Sequence, residues 1–178
     1  MAADFRRALA LLHSPENEWN RIVADPNAPR TLRPTVVALA GLATVAATIG
    51  YALQRRVGSS IAFVPISGLL FAAGRLSGVL AATRFLRART DSAERASLLA
   101  GWGSIPILAA GILEFLPVPF LRWLWAAAGL GFAYMNLATA TTPVLGLSSD
   151  RGTSLAIRAT AAYAIPIVAF DFLRYVCP

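Results

Sequence analysis

The chain has 178 residues, of which 57% are hydrophobic and 14% charged, and its mean hydropathy is +0.61. Those values exclude an ordinary soluble globule and a disordered segment, and they point to an integral membrane protein. The net charge of +7 is carried by arginines lying between apolar stretches, which suits anionic lipid headgroups and not nucleic acid.

Residue usage narrows the chemistry further. The chain has no lysine, so Schiff-base catalysis is excluded. Its single histidine, His13, leaves no base for a serine protease inside the membrane and too few ligands for a histidine metal site. Cys177 stands alone, so no internal disulfide forms. Neither an enzyme, a cofactor nor a metal is expected.

In chain order, Asp4 to Leu12 places Phe5, Ala8, Leu9 and Leu12 on one side at helical spacing with Arg6 and Arg7 elsewhere, the pattern of a short helix lying on a membrane surface. No cleavable leader is expected there. Ser14-Pro15-Glu16 predicts the start of a second helix and Asp25-Pro26 its end. Trp19, with Ile22 and Val23, is expected at the headgroup boundary. Residues 1–34 thus form a predicted cytoplasmic segment, closing with a linker from Asn27 to Pro34.

Residues 35–178 are predicted to form a five-helix transmembrane domain. The spans are Thr35 to Leu53, Ile61 to Thr83, Leu98 to Leu116, Leu121 to Ala140 and Leu155 to Val176. Each approaches the about 20 residues that cross a hydrocarbon layer. Arginines of the tail, of Arg84 to Ser97 (Arg84, Arg87, Arg89, Arg95) and of Thr141 onward (Arg151, Arg158) outnumber those of the other side (Arg55, Arg56, Arg122, Arg174). This predicts a cytoplasmic N-terminus and an outside C-terminus. The fold class expected is all-α and polytopic, with short amphipathic helices before the spans.

The second span carries Arg75 near its middle, and Gly68, Ala72, Gly74 and Gly78 mark its packing side, which suits bundle packing or a homo-oligomer. A mid-membrane arginine needs a partner, since its side chain leans toward the helix N-terminus and away from the cytoplasmic surface. Asn136 in span four is the predicted partner, with Tyr134 or Thr139, Thr141 and Thr142 as further acceptors; the alternative is a shifted span boundary that lets Arg75 reach water. Glu114 and Asp171 are acids near the outer ends of spans three and five, with Arg174 at i+3 and Tyr175 at i+4 from Asp171.

The opening Leu11-Leu12-His13-Ser14-Pro15-Glu16-Asn17-Glu18-Trp19-Asn20-Arg21-Ile22, followed by Asp25-Pro26, resembles the bacterial branch of the Yip family of Ypt/Rab-interacting membrane proteins. Trp102 to Pro106, Pro117 to Pro119 and Tyr134 to Leu145 are also similar. The resemblance implies five helices, a cytoplasmic N-terminus and an outside C-terminus. The eukaryotic relatives bind small GTPases and help organise ER and Golgi membranes, while the bacterial relatives have no settled activity. The Asp-Leu-Tyr-Gly-Pro-type segment of the eukaryotic members is missing, so GTPase binding is not expected. The functional expectation is a non-enzymatic membrane organiser with a protein partner, in which Phe5, Arg6, Arg7, Trp19, Arg84, Arg87 and Arg89 touch anionic lipid. The rival is a small transporter or channel lined by Arg75, Glu114, Asn136 and Asp171.

Overall fold

The computed structural model describes residues 2–54, 61–116 and 118–176, which are helical with no strand among them. Arg55, Arg56 and Cys177 lie outside these residues, as do the side chains of Phe5, Arg30 and Tyr175. The helices are α1 (Ala2–His13), α2 (Pro15–Ala24), α3 (Ala28–Gln54), α4 (Phe63–Arg87), α5 (Ala93–Gly103), α6 (Ile105–Ile112), α7 (Pro119–Leu145) and α8 (Ser149–Val176), with a 3₁₀ turn at Leu113–Phe115.

Local chemistry sets these limits. Pro15 occupies the first turn of α2, though Ser14 makes no side-chain cap. Pro26 holds Asp25 extended (φ −93°, ψ 110°) and ends the helix. Helix α3 then begins at Ala28, so the predicted linker is helical and Pro34 lies inside it. Pro106 cannot donate to the carbonyl of Trp102, and the third apolar stretch divides at Ser104 into α5 and α6. Gly146, at φ 69°, closes α7 with its N–H on Thr142 O.

Four stretches among the described residues are long and apolar enough to cross a membrane: Leu32–Gln54, Phe63–Arg87, Ala93–Phe115 and Ser149–Arg174. Helix α7, expected as a fifth, is 27 residues long but is not one of the four. Its Asn136, its tryptophans and its run of threonines dilute its hydropathy.

The outer face of the bundle, unlike that of a soluble protein, carries many large apolar side chains. On α3 the small Ala40, Ala43 and Ala47 are buried while Val37, Leu42, Val45, Ile49 and Leu53 are exposed. Leu69, Leu76 and Leu80 on α4 and Ile157, Ile165, Val168 and Phe172 on α8 are likewise exposed. Close backbone packing inside and large apolar side chains outside suit a lipid solvent. Helix α4 packs most extensively on α8. A Cβ at Gly74 would stand 2.9 Å from Phe170 Cβ, and one at Gly78 3.0 Å from Tyr163 O, so both glycines lie at that seam. Gly68 meets Thr48 of α3 instead, and Ala72 is half-buried.

Candidate functional site

Inside the bundle, Arg75 does not meet Asn136. It bonds Asp171 Oδ2 through Nη1 and Glu114 Oε1 through Nη2, both at 2.8 Å. Arg174 Nη1 bonds the other oxygens, Glu114 Oε2 at 3.0 Å and Asp171 Oδ1 at 3.3 Å. The four charges thus form a closed alternating ring in which each carboxylate gives one oxygen to each guanidinium. Arg174 Nε also donates to Ser67 Oγ at 3.1 Å.

The ring is held by α4, the 3₁₀ turn and α8, and all four members are at least 94% buried. Phe71 lies beneath both guanidiniums, its centroid 4.4 Å from Arg75 Cζ and 5.1 Å from Arg174 Cζ. The lean of Arg75 toward the N-terminus of α4 carries it to the end of the bundle where the third apolar stretch stops and α8 finishes, which is where the two acids are. Depth alone favours these partners over Asn136, and the i+3 spacing of Asp171 and Arg174 was the sequence signal for half of the ring. Ser67 and Phe71 gave none. With all four groups ionised the ring is neutral, and every carboxylate oxygen is engaged, so it pins α4, the 3₁₀ turn and α8 together.

Asn136 belongs to a second polar centre. Trp19 Nε1 donates to its Oδ1 at 2.6 Å, and its Nδ2 reaches Trp102 O at 3.5 Å. That carbonyl is the one Pro106 leaves without its helical donor. Trp19 and Ile22 are therefore core residues, as are Ala8 and Leu11, and not lipid anchors: a bundle polar group and an apolar layer claim them. Leu9 remains exposed. Arg7 is also turned inward, bonding Glu18 at 3.1 Å and Asp25 at 2.9 Å and lying 5.9 Å from the Trp102 ring. Arg6 is exposed.

The exposed arginines among the described residues share one end of the bundle. They are Arg6, Arg21 and Arg33 near the tail, Arg84, Arg87 and Arg89 at the end of α4, Arg95 on α5, and Arg151 and Arg158 early in α8. At the opposite end Arg122 is half-buried and Arg174 buried. Arg87 bonds Ser97 Oγ at 2.9 Å, and Arg89 lies 5.4 Å from the Phe85 ring. No family model, curated protein or solved structure matches this chain.

Proposed function

We propose that the protein is a non-enzymatic integral membrane protein of the bacterial inner membrane that crosses the bilayer five times, organises membrane and docks partner proteins through a cytoplasmic arginine rim touching anionic lipid. The resemblance to the Yip family supports this reading, and one observation carries it. Among the described residues, the buried ionic groups of the bundle neutralise one another, while the exposed arginines gather at a single end.

Helix α7 is the fifth crossing in this reading. Glu114, at the end of the third span, bonds Arg174, near the end of α8, and α8 starts three residues after Gly146. This supports a return across the layer by α7, whose 27 residues at about 1.5 Å each are long enough.

Proteoliposomes loaded with pH- and chloride-sensitive dyes test the proposal together with photo-crosslinkers placed at Arg84 and Arg89 in native membranes. The expected result is flux equal to that of empty vesicles and discrete protein adducts from the rim. Flux that Arg75→Gln abolishes would establish the transporter reading in its place.

A further inference from the structure

Between the first turns of α3, the last turn of α4 and the first turns of α5 runs an open groove of about 550 Å³. Leu32 and Leu98, each 7% exposed, form its floor. Arg33 and Arg87, both exposed, stand on different walls, and neither is paired with an acid among the described residues. Gly101 lies against Leu32: a Cβ there would lie 2.6 Å from both Leu32 Cδ atoms, so its absence lets α3 seat that leucine on α5.

The walls are built for an anion. Arg87 Nη2 donates to Ser97 Oγ at 2.9 Å, which ties the guanidinium across to α5 and uses one of its five donors. Ser97 is fixed in turn by its bond to Ala93 O at 2.8 Å. The first turn of α5 adds the positive end of its dipole.

Depth says what kind of anion fits. Leu32 opens one membrane-capable stretch and Arg87 closes another, so the groove lies at headgroup level. Val37, one turn beyond Arg33, is 66% exposed and continues the apolar track along α3. A ligand with both a charge and a chain covers the arginine walls and the exposed Val37 together, whereas free phosphate meets the arginines alone. Glu94 also lines the groove. Its carboxylate accepts from a hydroxylated headgroup and repels a dianionic phosphomonoester.

We infer that the groove binds one anionic glycerophospholipid of the phosphatidylglycerol type, with its phosphodiester between Arg33 and Arg87 and an acyl chain along α3. The inference rests on the reading that this end faces an anionic leaflet, and narrows that reading to one site.

Native mass spectrometry of the full chain in mild detergent, titrated with phosphatidylglycerol or phosphatidylcholine of identical chains, tests it. The first phosphatidylglycerol should bind about tenfold more tightly than phosphatidylcholine, as expected for charge-assisted hydrogen bonds. Arg33→Gln with Arg87→Gln should erase that preference. Arg151→Gln with Arg158→Gln, an equal change of charge on α8, should keep it, and unchanged melting temperatures show that both variants fold. Equal losses from the two pairs, or displacement of the lipid by millimolar glycerol 3-phosphate, would overturn the groove while leaving an anionic-lipid face standing. A wild-type protein with no preference at all would remove both.

Discussion

Trp19 Nε1 donates to Asn136 Oδ1 at 2.6 Å, joining positions 117 apart in a layer where both residues are at least 98% buried. The tail is thereby part of the bundle. Asn136→Ala strands a buried indole N–H and should cost about 1–3 kcal/mol. Trp19→Phe combined with Asn136→Ala should cost less than the two changes summed, because the donor leaves together with its acceptor. Thermal unfolding in detergent, run as a double-mutant cycle, measures the coupling. Deleting residues 1–25 also removes Trp19, Ile22 and Leu11 from the core, so that truncation should unfold the bundle and not merely silence docking.

Removing one member of the charge ring should hurt more than removing an opposite pair. Arg75→Met leaves Glu114 and Asp171 sharing Arg174, an uncompensated buried charge worth about 3–5 kcal/mol of destabilisation. Adding Asp171→Leu to Arg75→Met restores neutrality around the remaining Arg174–Glu114 pair, and the double variant should recover part of the loss. Unfolding of both variants in bicelles provides the comparison, and a double variant weaker than the single would refute the ring as a neutral unit.

How much of this was legible depends on whether the signal was local. The helical spans follow from runs of apolar residues, and the Asp171–Arg174 pair from i+3 spacing. The partner of Arg75 needed two further facts: which helices are adjacent and at what depth each residue lies. Periodicity supplies neither. Trp19 misled for a related reason, since a tryptophan on an amphipathic helix fits a headgroup boundary as well as a core until Asn136 is seen opposite it. The same limit hid the carbonyl of Trp102, which Pro106 frees for a helix far away in sequence. Helix α7 shows the converse, because Asn136, which ties it to Trp19 and Trp102, is one of the residues that weaken its membrane signature.

Two glycines on α3 should respond oppositely to alanine. At Gly50 an added Cβ would lie 2.0 Å from the carbonyl oxygen of Glu114, a backbone atom that cannot turn aside. Gly50→Ala must push the 3₁₀ turn outward and disturb the ring, with a cost of about 1–3 kcal/mol or more. At Gly41 nothing lies within 4 Å, so Gly41→Ala should gain about 0.5–1 kcal/mol from helix propensity. Melting temperatures of the two variants separate these signs directly.

Acid should loosen the tail only at low pH. The Asp25 carboxyl is held below its ordinary value of 3.8, first by the backbone N–H of Asn27, which donates to Oδ1 at 2.8 Å, and then by Arg7 at 2.9 Å. A depressed carboxylate stabilises the docked tail above its unfolded pKa, and that contribution disappears as pH falls through the folded one. The window therefore lies below 3.8, and the effect is modest because the pair is partly exposed to water. Spin labels at Arg6 and Thr139, read by double electron–electron resonance, should give a constant distance distribution from neutral pH to about 4 and a broader one below it. Asp25→Asn should blunt that response. Broadening near neutral pH would show that another group governs how the tail is held.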